Sequence, residues 1–176
     1  RGSMTSIQAV YVPADAFTDP AAAHTFSHLS ASITLSRKKA SEGLYPAIDP
    51  LKSFSRMLTP GVVSTRHYMI ASAVRNTLAE YEDLKDIIAM LGLEELSEMD
   101  RATVRRARQI ERFLTQPFYS TEKMTGIPGR FVPLSETLTS CERILNDEFR
   151  DHPESAFYMI GTVADLEQKE GAGHAA

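Results

Sequence analysis

The spacing of apolar residues changes partway along the chain. Ile7, Ala9 and Tyr11 alternate with Gln8 and Val10 in a run rich in strand formers, closed by Pro13, and Ala31 to Leu35 is a second short run; both predict strands. Turn chemistry from Asp15 to Pro20 precedes Ala21 to Leu29, which predicts a short helix starting near Asp19 and Pro20. Strand, helix, strand is the rhythm of an α/β unit with a parallel sheet. After Arg56 the period becomes 3.6: Ile70, Val74, Leu78, Tyr81, Leu84, Ile88 and Leu91 follow steps of four and three, with Gly92 just beyond. Ser97 and Asp100 form a capping-box-like start for a second helix through Val104, Ala107, Phe113 and Leu114, ending before Pro117. Leu134, Leu138, Cys141, Leu145 and Phe149 mark a third, with shorter helices expected after Pro153 and Gly161. The expected fold is mainly α, with residues 1–57 a truncated α/β, parallel-sheet part and residues 58–176 an all-helical domain.

Composition narrows the function classes. A net charge of −4 and a pI near 5.7 give no general electrostatic attraction to nucleic acid or an anionic membrane. Cys141 is the single cysteine, so an internal disulfide or a multi-cysteine zinc site is impossible, and its place in an apolar stripe predicts a buried small hydrophobe. No run of 18 apolar residues is present. His24 and His28 have an i, i+4 spacing, but without a third ligand they read as surface residues, and no metal site is expected.

Three segments carry the chemistry: Val10-Tyr-Val-Pro-Ala-Asp15, Gly43-Leu-Tyr-Pro-Ala-Ile-Asp-Pro50 and Glu94-Glu-Leu-Ser-Glu-Met-Asp100. In order and spacing they resemble the catalytic β subunit of F-type ATP synthase, from partway through its nucleotide-binding domain onward. On that resemblance Arg1-Gly-Ser-Met4 reads as native sequence and the chain is expected to begin mid-domain. A phosphate-cradling loop of that class ends in Gly-Lys-Ser/Thr; no Gly-Lys pair occurs here. The resemblance therefore implies no catalytic residue in this chain and no ATPase activity on its own. It implies the adenine side of a nucleotide pocket: Tyr45 stacking on the base, Phe118 on the opposite wall, Thr121 and Met124 where the family has alanine and a second phenylalanine, and Tyr11 at the edge of the phosphate pocket. Without the resemblance Tyr45 and Phe118 read as loop anchors in preference to a base-binding pair, and Tyr11 as ordinary strand core.

Two rotor-facing loops are implied as well. Glu94, Glu95, Glu98 and Asp100 occupy the family's acidic loop, with Met99 where a carboxylate is usual; the same carboxylates also suit the start of a helix. Asp15, Thr18 and Asp19 fall in a second loop, with Ala16 replacing an aspartate and Phe17 a leucine. The parent would use ATP or ADP with Mg2+, assemble with α subunits and a central-stalk γ subunit in a hexamer, and sit peripherally on the cytoplasmic face of a bacterial inner membrane, coupled to proton or sodium movement. Lys38, Lys39, Lys52 and Phe54 depart from the family pattern and suggest a divergent bacterial alternate copy. Two alternatives stay open: a stand-alone helical interaction module, and an export-type ATPase relative sharing the Tyr-Pro-Ala-Ile-Asp segment.

Overall fold

A computed structural model describes residues 2–12, 24 and 26–166. The helical domain follows the sequence closely. Helix α1 (Arg37–Ser41) is short and starts at Ser36, whose side chain accepts the Lys39 N–H. Helix α2 (Thr65–Leu91) begins at Ser64, whose hydroxyl accepts from the His67 amide, and ends at Gly92 with φ 89°, a conformation L side chains rarely adopt. Its 27 residues make a rod of about 40 Å. A 3₁₀ turn at Leu93–Glu95 leads to α3 (Glu98–Phe113). There Ser97 Oγ accepts from the Asp100 N–H at 3.1 Å and donates to Asp100 Oδ2 at 2.8 Å, the reciprocal cap expected from the sequence. A second 3₁₀ turn at Tyr119–Thr121, helix α4 (Glu122–Thr125), helix α5 (Leu134–Leu145) and a 3₁₀ turn at Glu154–Phe157 complete the order. After Gly161 the chain turns helical again at 164–166.

The core lies between α2, α3 and α5. Ile70, Val74, Leu78 and Tyr81 of α2 and Val104, Ala107, Ile110 and Phe113 of α3 are buried in one cluster with Cys141, Ile144, Phe149 and Phe157. Leu91 and Leu134, expected in the stripes, are exposed instead; each ends its helix.

The parallel sheet expected before residue 57 is not what forms. Residues 2–12 carry no regular secondary structure, and Ile7 is exposed. The sheet among the described residues is a two-stranded antiparallel one, β1 (Ala31–Ser32) against β2 (Phe54–Ser55), extended by a bridge from Leu35 to Ile48. The reason is local. Asp49 Oδ1 accepts from the Leu51 and Lys52 amides, an Asx turn, while its own N–H donates to the Thr34 carbonyl at 2.8 Å. The chain is thereby folded back on residues 31–35, and a fold-back can only pair strands antiparallel. Of the helix expected over Ala21 to Leu29, His24, Phe26 and Ser27 are helical; the rest up to Ala23, and Thr25, lie outside the described residues.

Two buried polar side chains organise the C-terminal segment. Gln109 Nε2 donates to the carbonyls of Phe149 (2.9 Å) and His152 (3.1 Å), and Thr115 Oγ1 accepts from the Met159 N–H at 2.9 Å while donating to the Arg112 carbonyl. Each supplies partners to backbone groups that would otherwise be buried unpaired.

Burial pushes the Cys141 thiol up to about 12, so at neutral pH the native protein should resist thiol reagents and label only on unfolding. Phe113→Ala is expected to lower stability by about 3–5 kcal/mol in urea denaturation and to advance Cys141 labelling in parallel. Rapid labelling of the folded chain would contradict this packing.

Candidate functional site

Tyr45 and Phe118 sit 73 positions apart in sequence, yet the fold ties their loops together. The Gln116 N–H donates to the Tyr45 carbonyl at 3.0 Å. Gln116 is itself fixed, its Nε2 donating to the carbonyls of Phe113 and Ile160 at 3.2 Å each. From the other side the Tyr158 hydroxyl donates to the Gly43 carbonyl at 3.0 Å, two residues before Tyr45. Gly43 has φ 76° and the Tyr45–Pro46 peptide is cis. Both rings stay open to solvent, 50% exposed for Tyr45 and 44% for Phe118. Buried anchors would not be left so exposed.

Phe118 opens a loop closed by the Arg130 N–H donating to the Pro117 carbonyl at 3.0 Å. Within it Thr121 donates to the Phe118 carbonyl, and α4 is capped by Gly126 in the left-handed region. Phe118 is extended and precedes the 3₁₀ turn that ends at Thr121, and Met124 lies in α4 just beyond it. Met124 is 88% exposed, a flexible, polarizable side chain at the rim. The loop is held from below at Gly129, where a Cβ would fall 2.4 Å from Tyr119 Cα. Arg130 then lies across Gly161 and pairs with Asp165, whose carboxylate also accepts from the Gly161 and Thr162 amides. Burial pushes Asp165 up, but the Arg130 hydrogen bond and those two amides outweigh it and hold it below the usual carboxylate range. Tyr11 does not join this group: it is 79% exposed, on a stretch without secondary structure.

The acidic segment stands at the turn between the two longest helices. Glu94, Glu95 and Glu98 are exposed; Asp100 is engaged by Ser97. Arg101 shapes the turn, donating to the Glu94 carbonyl at 2.8 Å and the Leu96 carbonyl at 2.9 Å, and lying 3.9 Å from the Glu94 carboxylate. Met90, Leu91 and Met99 are exposed beside these carboxylates. The tip therefore offers apolar contact and negative charge together. Asp15, Thr18 and Asp19 lie outside the described residues.

Among the described residues no group of three or more His, Cys, Asp or Glu could hold a metal. Nor is any described helix long and apolar enough to cross a membrane. The sequence reading overlooked a charged cluster of Lys39, Glu82, Lys85 and Glu111 joining α1, α2 and α3. Its members are scattered in sequence, and only Lys39 stood out, as a departure from the family pattern.

Comparison with known proteins agrees along the chain. Residues 1–55 match the ATP synthase alpha/beta family nucleotide-binding domain, and residues 56–152 the C-terminal domain of V and A type ATP synthase. The chain is 68% identical over 168 residues to ATP synthase subunit beta 2 of Albidiferax ferrireducens, covering 96% of this chain and 32% of that protein. It is 67% identical over 172 residues to ATP synthase subunit beta of Acaryochloris marina, covering 97% of this chain and 38% of that one. An ATP synthase subunit, NeqB, from Nanoarcheaum equitans superposes with a TM-score of 0.66 at 25% identity, over 77% of this chain and 34% of its own. The chain spans about a third of the length of the curated relatives it matches. It belongs to the ATP synthase family and corresponds to the C-terminal part of the beta subunit.

Gly129→Ala tests the loop: the clash with Tyr119 should displace Phe118 and cost about 1–3 kcal/mol. Amide shifts confined to residues 117–130 are expected; an unperturbed Phe118 would show the loop is not held from Gly129.

Proposed function

We propose that this chain forms the base-binding side of a catalytic nucleotide pocket and the rotor-facing end of a rotary ATP synthase β subunit. The observation that carries the reading is the hydrogen bond from Gln116 to the Tyr45 carbonyl, which ties together the loops that bear two half-exposed aromatic residues. An aromatic wall of this kind takes a flat, π-faced ligand, and stacking contributes about 1–3 kcal/mol per base with little reading of base identity. Thr121 and Met124 extend the wall. Tyr11 is assigned to the phosphate side, where it would act only once its stretch is ordered.

The chain's own residues hold and orient the base. They supply no phosphate-cradling lysine, so phosphate transfer, with its Mg2+, belongs to other parts of the parent subunit. Glu94, Glu95, Glu98 and Asp100 meet the central-stalk γ subunit, with Asp15, Thr18 and Asp19 as a second contact, and α subunits flank the pocket in an alternating hexamer. The assembly couples ATP turnover to ion movement at the cytoplasmic face of a bacterial membrane. Relatives named beta 2 in Albidiferax ferrireducens and Polaromonas naphthalenivorans support the reading as an alternate copy.

Two measurements test this. Purified chain should bind ADP weakly and show no ATP turnover, and Tyr45→Ala and Phe118→Ala should each weaken ADP binding by about 1–3 kcal/mol in calorimetric titration. Affinity unchanged in both variants would remove the base wall. In the assembled enzyme, alanine at Glu94, Glu95, Glu98 and Asp100 together should reduce transmitted torque more than ATP affinity; unchanged torque would leave these carboxylates only their role at the start of α3.

A further inference from the structure

The segment carrying Tyr45 meets the helical domain through ion pairs and hydrogen bonds, among them Gln116 to the Tyr45 carbonyl, Tyr158 to the Gly43 carbonyl and Arg75 to the carbonyls of Pro50, Leu51 and Ser53, rather than through a broad apolar seam. Its contribution to burial is small: Leu44 is buried, Leu51 packs partly against the core, and the buried residue of α1 is Lys39. Lys39 is 11% exposed at its side chain and pairs with Glu111 of α3, itself 14% exposed. Lys85 of α2 lies 3.9 Å from the same Glu111 oxygen and donates to Glu82 at 2.6 Å; Glu82 in turn lies 4.0 Å from Lys39. The four groups close a ring of alternating sign across three elements. Burial pushes Glu82 up, but the Lys85 hydrogen bond and the charges of Lys85, Lys38 and Lys39 outweigh it and hold it below the usual carboxylate range.

We propose that this ring is the joint through which movement of the base-bearing segment, residues 36–50, reaches α3 and its acidic tip, with Lys39 and Glu111 as its positioning residues. The proposal rests on the reading of the chain as a coupled ATP synthase subunit. Three features fit a joint better than a passive clamp. Clefts of about 310 Å³ and 220 Å³ flank it, the first lined by Leu44 and Tyr81, the second by Pro50 and Leu78, so the side chains have room to shift. Each carboxylate has more than one cation in reach, and Lys38, largely exposed, already stands 3.9 Å from Glu82. Were α1 to rotate and draw Lys39 away, Glu82 would keep Lys38 and Lys85, and Glu111 would keep Lys85, so neither carboxylate would lose every cation. Glu111 also sits near one end of α3 while Glu98 opens the other, about 20 Å away at 1.5 Å per residue. Force applied at Lys39 thus acts on the butt of the lever.

The test replaces charge while keeping volume. Lys39→Met/Glu111→Gln is introduced into the full-length subunit of the assembled enzyme, and ion pumping per ATP hydrolysed is measured beside the thermal midpoint. Exchanging a buried ion pair for neutral groups of similar size leaves stability nearly unchanged, so the midpoint should hold while pumping per ATP falls about fivefold or more, the lower end of ordinary coupling between linked sites. Lys39→Arg, which retains the charge, should pump as wild type. Wild-type pumping per ATP in the double variant would overturn the joint. Should that variant not fold, Lys85→Gln opens the ring while keeping Lys39 with Glu111; it must pump less per ATP than wild type, and a wild-type ratio there overturns the proposal equally. Failure of the wild-type assembly to pump on ATP would instead overturn the functional reading beneath it.

Discussion

The burial of one face of α3 is the constraint on which the rest depends. Val104, Ala107, Ile110 and Phe113 are removed from water almost completely, and α2 and α3 make the most extensive contact between any two elements. At about 25 cal/mol per Å² this seam dominates the favourable side of the balance. The seam also fixes α3 in rotation. With its apolar face set against α2, Gln109 must point at the carbonyls of Phe149 and His152, and Glu111 must face α1 and α2. Both polar contacts follow from helix geometry once the apolar face is committed.

The C-terminal segment depends on that same helix. Phe157, Ile160, Val163 and Leu166 pack into the core, yet the segment between them is irregular, with Asp147 and Met159 at positive φ. Irregular backbone in a core needs side-chain partners. Gln109, Thr115 and Gln116 supply them, and Arg105 and Arg106 both bind the Asp147 carboxylate at 3.0 and 2.9 Å. One helix thus holds the apolar core, the path of the C-terminal chain and, through the Gln116 amide just beyond it, the carbonyl of Tyr45.

The helices were legible because their signals are local. Ser97 with Asp100 and Gly92 after Leu91 state where helices start and stop within four residues, and steps of three and four state which face is buried. Such steps fail at helix ends, and Leu91 and Leu134 show it: periodicity cannot reveal where the neighbouring surface stops. No parallel sheet forms among the described residues: Ile7 to Tyr11 has the composition of a strand, but pairing is a non-local matter and this stretch has no partner strand here. The aromatic pair was read through resemblance, and what the fold adds is the hydrogen bond between their loops. The charge ring was invisible, since Lys39, Glu82, Lys85 and Glu111 share no motif, only the geometry of three elements.

The base wall and the acidic tip occupy opposite ends of α3, and this division suits their contrasting needs. On the proposed reading Tyr45 and Phe118 accept a planar ring between them, and the Gln116 N–H to Tyr45 carbonyl bond ties their loops. The tip, on the same reading, meets a moving surface. Exposed methionines and leucine, with carboxylates of which Glu95 and Glu98 have no ion-pair partner among the described residues, can engage such a surface without one fixed geometry. Between them stands a helix whose hydrogen bonds all run along its axis, stiff over its length of about 24 Å. On the proposed reading, such a helix would carry a displacement at the pocket to the tip as a displacement rather than as a loss of structure.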